Sequence, residues 1–376
     1  MDKATALLQE LVQTNTANGN EAAVAAILQR EFEAAGIATK LVEYAPGRTN
    51  LVAEFGDGDD LLASTGHEDV VAAGDESAWT HPPFAAEIHD GKLYGRGASD
   101  MKNGLAAMAL AFIALHNSGF DHHMRFMATV GEEYGAMGAR QLTTAGYADD
   151  LSALIVGEPT GGKLIYGHSG SYNYKVKSYG KSVHSSMPAT GINALEPLLD
   201  FGVTERTLFD DAPADPIIGK LEHSVTVMKA GEQVNTIPDY AELAGNIRPV
   251  PTFNNAAVTE RLQQTVAALN ARSAGRVEFE LTHSFFPVLT PTDAKLVTAT
   301  QAAVAQVSGT APELAIIHAA TDASEFTKSA NHFDTIIFGH GDDTENMSHR
   351  LNEYVDLAQY QLAVQEYEAI ARRYFA

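Results

Sequence analysis

The sequence predicts an α/β fold, in which a layered domain with a mostly parallel sheet is interrupted by an inserted, smaller α+β domain. Three observations predict it. Helical and strand rhythms alternate over residues 1–168, the pattern becomes one of alternating strands over 169–284, and a helix-then-strand rhythm returns over 285–376. In the first stretch, helical periodicity runs over 3–13, 21–35, 102–118 and 136–145, with β-rich runs at 38–44, 50–55, 61–66, 124–130 and 153–157. The inserted stretch carries SYNYKVKSYG, SVTVMKAGE, AELAGNIRPV and RVEFELTHS as strands, plus two helical segments. The return supplies a helix at 293–307, a strand at 335–339 and a final helix at 355–374.

Composition narrows the function. The chain has 376 residues, with 48 Asp and Glu against 25 Lys and Arg, a net charge of −23. That excess of acid opposes binding to nucleic acid or to an anionic membrane, both of which need a basic face. With 45% hydrophobic and 19% charged residues the chain can bury a large core and is not disordered as a whole. Zero Cys excludes disulfides, thiol nucleophiles and Cys-based metal sites, so any metal must be held by His and carboxylates. The opening MDKATALLQELVQTN, with Leu7, Leu8, Leu11 and Val12 at helical spacing, is an amphipathic helix in pattern and not a secretion signal. The longest apolar run, 105–115, is eleven residues and reads as a buried helix, since a bilayer needs about 20. A cytoplasmic protein is the expectation.

Almost every polar residue of interest falls just after a β run, at the carboxyl end of a strand, where open α/β sheets put their ligands. LLASTGHEDVV delivers His67 and Asp69 on one strand face. A His held by a carboxylate is the usual form of a metal ligand with its support; alone, it reads first as a structural His in a strand-end loop. LYGRGASDMKNG surrounds Asp100 with small residues ahead of the buried helix. That pattern lacks the Gly-Lys-Ser/Thr ending of a phosphate loop and is open to a plain helix cap by Ser99 or Asp100. MRFMATVGEEYGAMG ends a strand in Glu132 and Glu133, adjacent residues that cannot point the same way. One can bind a metal while the other stays free as a general base, unless the pair is only a solvated acidic turn. LIVGEPT ends in Glu158, and MSHRLNEYV brings His349 after the strand at 335–339. His81, His89, His122 and His123 lack such a setting and read as surface or loop histidines.

Charge joins these elements. Asp100, Glu133 and Glu158 carry three negative charges, which two divalent cations and one hydroxide bring to neutrality, whereas a single cation leaves an excess. Each metal then takes one His, one terminal carboxylate, the shared Asp100 and a shared water, the four-coordinate set expected of zinc. His and carboxylates also accept cobalt and manganese.

Through GHEDVV, WTHPPF, DGKLYGRGASDMKNG, GEEYGAMG, GEPT, SVHSSMP and HRLNEYV, in that order, the sequence resembles the M20-type dinuclear metallo-amidohydrolases. These include acetylornithine deacetylase, succinyl-diaminopimelate desuccinylase, aminoacylase and carboxypeptidase G2. The resemblance implies that His67 and Glu158 bind one metal, Glu133 and His349 the other, and that Asp100 bridges them. Glu132 would be the general base and Asp69 would orient His67. It further implies a homodimer built through residues 169–284 as a lid and dimerisation domain. His184 of SVHSSMP would reach the partner subunit's site and polarise the scissile carbonyl, and Asn235, Arg248 and Thr321 would contact substrate. One departure is HAATDASEF, with Ala319 and Ala320 ahead of Thr321 and Asp322 where desuccinylase-like members tend to have Gly-Gly-Thr. The expected reaction is hydrolysis of the amide of a small N-acyl amino acid, with a di- or tripeptidase as close rival. A non-catalytic dimeric binding protein would be marked by loss of Glu132 or a ligand, and all are present.

Overall fold

The structure is a computed structural model and describes residues 2–341 and 347–376. The chain forms two compact units. One comprises Met1–Gly167, Leu289–Ile316 and Thr321–Ala376, the other His168–Val288 with Ile317–Ala320. The four residues 317–320 thus group with the smaller unit, although they follow the sequence's return to the first.

In the larger unit four parallel strands form the middle of the main sheet, in the order His122–Thr129, Asp57–His67, Ala153–Val156 and Asp334–Ile337. Their register aligns the carboxyl ends: His67 lies opposite Thr129, Thr65 opposite Val156, and Val156 opposite Ile337. Whatever follows these residues therefore emerges along one sheet edge. Antiparallel strands extend the sheet, with Arg48–Phe55 and then Thr39–Ala45 beyond His122–Thr129, and Leu164–His168 beyond Asp334–Ile337.

The apolar run at 105–115 lies in helix Lys102–Asn117, almost wholly buried and packed against helices Leu357–Tyr374 and Lys3–Gln13. Among the described residues no helix is long and apolar enough to cross a membrane. Gly104 lets this helix touch the sheet, because a Cβ there would stand 2.0 Å from the Gly157 carbonyl oxygen, next to Glu158. The last helix starts at Leu357 and not at 355: residues Tyr354–Asp356 are a strand, and the Asp356 carboxylate caps the helix by accepting from the amides of Ala358 and Gln359. That strand pairs with Lys92–Tyr94, which pairs with Glu87–His89, giving a small antiparallel sheet that the sequence rhythm did not reveal.

The smaller unit is a four-stranded antiparallel sheet in the order Glu222–Ala230, Tyr240–Arg248, Ser171–Tyr179 and Arg276–Phe285, with helices Leu195–Glu205 and Asn255–Arg272. Ala241, Leu243, Gly245 and Ile247 point to the buried face, as do Tyr172, Tyr174 and Val176. The edge strand Glu222–Ala230 is mostly exposed, including Val227 and Met228.

Candidate metal centre

The aligned strand ends bring five side chains of the larger unit together. His67 closes strand Asp57–His67 and is buried. Its Nε2 lies 3.1 Å from Asp100 Oδ1 and 3.7 Å from Glu158 Oε2. His349 Nε2 lies 2.9 Å from Glu133 Oε1 and 3.5 Å from Asp100 Oδ2. Asp100 thus turns one oxygen to each imidazole, with Glu158 on the side of His67 and Glu133 on the side of His349. His349 holds a left-handed backbone, φ 65°, a conformation uncommon outside glycine and concentrated at functional sites.

Glu132 and Glu133 diverge as adjacent residues must. Glu133 takes the contact with His349, while among the ion pairs of the described residues Glu132 has none with either imidazole. Their turn is fixed by Asp69, whose Oδ1 accepts the Glu132 amide at 3.0 Å and whose Oδ2 accepts the Glu133 amide at 3.2 Å. The contact of His67 Nδ1 with Asp69 is to the backbone carbonyl oxygen at 2.9 Å, while the carboxylate oxygen is 3.7 Å away. Asp69 therefore orients His67 through its main chain and spends its carboxylate on the Glu132 turn.

A second carboxylate, Glu353, builds the Asp100 loop. One of its oxygens accepts the amides of Gly97 at 3.1 Å, Ser99 at 2.8 Å and Asp100 at 2.9 Å, and the other pairs with the buried Arg96 guanidinium. Arg96 also donates to the His349 carbonyl at 3.3 Å. The loop carrying Asp100 and the segment carrying His349 are thereby tied through one buried ion pair. Sequence reasoning missed this role, although Glu353 lies within HRLNEYV.

Electrostatics explains what such a cluster needs. Burial raises the Asp100 carboxyl, but hydrogen bonds with His349 and His67 outweigh it and hold the group well below the ordinary carboxylate range. Burial opposes a charged His67, yet Glu158, Asp100 and Asp69 lift its pKa well above the usual value. Hydrogen bonds to Asp100 and Glu133 lift His349 to about 10. Burial, then the charge of Glu158, pushes Glu132 well up, and burial does the same to Glu158. Six carboxyl groups thus gather around two imidazoles, and Asp322 is the one sequence reasoning passed over. It is buried, accepts from the Thr129 hydroxyl at 2.5 Å, and is raised by burial to about 7. Acids so placed call for positive charge beyond what two imidazolium ions provide. The donor set, two imidazoles and carboxylates with one carboxylate facing both, fits a pair of divalent cations.

Four further candidates are Thr321, His184, Asn235 and Arg248. Thr321, in the larger unit, is buried and its hydroxyl accepts the Ala323 amide at 3.3 Å, capping the turn that carries Asp322. His184, Asn235 and Arg248 belong to the smaller unit. His184 is exposed, with Nδ1 2.8 Å from the Ser186 hydroxyl. Asn235 is exposed and accepts the Ser185 amide through its backbone oxygen at 2.9 Å. Arg248 ends strand Tyr240–Arg248 opposite Glu222.

Comparison with known proteins places the chain in a family. A profile described as peptidase family M20/M25/M40 matches residues 63–373. The chain is 34% identical over 383 residues to a Staphylococcus aureus protein named "Probable succinyl-diaminopimelate desuccinylase", covering 94% of this chain and 93% of that one. It is 30% identical to the "Acetylornithine deacetylase" of Proteus mirabilis, over 91% of this chain and 87% of that one. In fold it is similar to an M20 family metallo-carboxypeptidase of Sulfolobus solfataricus, with a TM-score of 0.79 at 19% identity, over 100% of this chain and 99% of that one.

Proposed function

Because this chain belongs to peptidase family M20/M25/M40, we propose that it is a two-metal hydrolase cleaving the amide bond of a small N-acyl amino acid. The observation that carries the reading is Asp100, which turns one carboxylate oxygen toward each of two imidazoles, while a separate acid stands beside each imidazole. His67 and Glu158 would hold one cation and His349 and Glu133 the other, with Asp100 available to both. Zinc suits this donor set best. Cations held there supply Lewis acidity toward a substrate carbonyl and acidify water.

The chain's own residues do the rest. Glu132, left free by the divergence from Glu133, takes the proton of the attacking water and returns it to the leaving amine. Burial, together with the charge of Glu158, raises its carboxyl above the ordinary carboxylate value, which makes it a readier proton acceptor. Asp69 holds the Glu132 backbone still. In the smaller unit His184, contributed by the partner of a homodimer, polarises the scissile carbonyl, and Arg248 with Asn235 engages the substrate, the guanidinium clamping a carboxylate. The exposed edge strand Glu222–Ala230 with Val227 and Met228 supports dimerisation through this unit.

The relatives named for desuccinylation and deacetylation favour an N-succinyl or N-acetyl amino acid over a peptide. The test is to assay the zinc-loaded protein in parallel on N-succinyl amino acids, N-acetyl amino acids, dipeptides and tripeptides. Fastest hydrolysis of an N-acyl amino acid is expected. Faster cleavage of peptides overturns the substrate class, and hydrolysis of none overturns the enzyme.

A further inference from the structure

Two groups of three or more His or acidic residues with donor atoms all within 4.8 Å of one another occur among the described residues. One contains His67, Asp100 and Glu133; the other is His81, Glu87 and His89. His81 and His89 are loop and surface histidines, as the sequence reading expects, and they meet at one carboxylate. His81 Nδ1 lies 2.8 Å and His89 Nε2 3.1 Å from the same oxygen, Glu87 Oε2. With zinc-to-nitrogen and zinc-to-oxygen bonds of about 2.0–2.1 Å, ligands of a tetrahedral zinc stand about 3.3 Å apart. Both nitrogen-to-carboxylate distances are therefore near the spacing of a coordination shell, and the two imidazole donors lie within 4.8 Å of each other.

The scaffold holds them there. Glu87 and His89 are two apart on strand Glu87–His89 and share a face. The hairpin turns at Asp90 and Gly91, which both have positive φ, and Glu87 faces Tyr94 across the ladder. The Tyr94 ring lies on that of His81, with centroids 4.2 Å apart and planes tilted by 31°. The segment bearing His81 is fastened by the Thr80 amide, which donates to Asn352 Oδ1 at 2.7 Å, and by the Arg96 amide, which donates to the Pro83 carbonyl at 2.8 Å. Two imidazoles and one carboxylate on a pre-built hairpin cost little entropy to order around an ion.

We propose that His81, Glu87 and His89 form a further divalent-metal site, distinct from the strand-end centre, that takes a zinc-class ion and keeps an open coordination position for water. Imidazole donors select zinc, nickel or copper over magnesium or calcium. Partly exposed ligands and an open position make the ion exchangeable. Loading the site fastens the loop at 80–85 to the hairpin.

The experiment is equilibrium dialysis of chelator-stripped full-length protein against Zn2+ alone, with metal counted per chain in wild type, His89→Ala and His81→Ala, and circular dichroism as the check on folding. Each folded variant is expected to bind one equivalent fewer than wild type. His89 is half-exposed, so that variant keeps the test open should the other fail to fold. A folded variant that keeps the wild-type count overturns the site. Because the readout is a difference between chains, it stands apart from the number of ions at the strand ends.

Discussion

At the strand ends, His67 and His349 meet Asp100, Glu133 and Glu158, three acids delivered by three different segments and largely withdrawn from water. On the hairpin, His81 and His89 share one acid, Glu87, with all three side chains within nine residues of sequence and partly open to solvent. The chemical parts are the same, and the surroundings differ. Burial turns the first cluster into a charge problem that cations solve, whereas water already solves most of it for the second. A third imidazole isolates the effect of burial itself. His168 is as buried as His67 but forms no ion pair with an acid among the described residues, and burial lowers it to about 4, while the neighbouring acids lift His67. Carboxylates, not burial, decide whether an imidazole here attracts a positive charge.

Four substitutions separate the roles of these histidines and acids. Glu132→Gln keeps the strand-end ligands and removes the proton carrier, so kcat is expected to fall about 100- to 10,000-fold with metal content unchanged; wild-type turnover would reassign the base. Glu353→Ala strips an acceptor from three loop amides and unpairs buried Arg96. A loss of about 3–5 kcal/mol in unfolding free energy is expected, with metal affinity about 10- to 100-fold weaker. Unchanged denaturation and metal titration curves would show the Asp100 loop to be self-supporting.

His168 supplies a pH test. Its folded pKa of about 4 lies below the unfolded value of 6.5, so the unfolded chain takes the proton first. The stability present above about pH 6.5 is lost as pH falls through about 4. Between pH 7 and 4, denaturant unfolding of wild type should lose up to about 3 kcal/mol more than that of His168→Gln. Parallel losses would remove His168 as a contrast to His67. The smallest effect belongs to the hairpin: His89→Ala is expected to alter stability in metal-free buffer by no more than about 0.5 kcal/mol, and a larger thermal shift would mean that the cluster serves the fold without an ion.

Much of this was legible in the chain itself. The helical rhythm at 102–118 and the β runs at 61–66, 124–130 and 153–157 match helix Lys102–Asn117 and the strands Asp57–His67, His122–Thr129 and Ala153–Val156. His67, Asp100, Glu133 and Glu158 stand out in the sequence because each closes or shortly follows a buried strand or sits in a glycine-rich turn, a local signal, whereas His349 lies twelve residues beyond strand Asp334–Ile337. What escaped was long-range. No periodicity links Glu353 to amides more than 250 residues away, or Asp322 to Thr129. Nor does spacing tell that the Asp69 carboxylate turns to the Glu132 and Glu133 amides and leaves His67 to its carbonyl. The hairpin left a signal that went unread: Asp90 and Gly91 between EIH and KLY form an Asp-Gly turn flanked by alternating residues, which puts Glu87 and His89 on one face.

The two-metal centre is tested most directly by anomalous X-ray diffraction from crystals of the zinc-loaded protein. Two peaks about 3.5–4 Å apart, one beside His67 and Glu158 and one beside His349 and Glu133 with Asp100 between them, are the predicted result. A single peak, or none, in the space between His67 and His349 would contradict it.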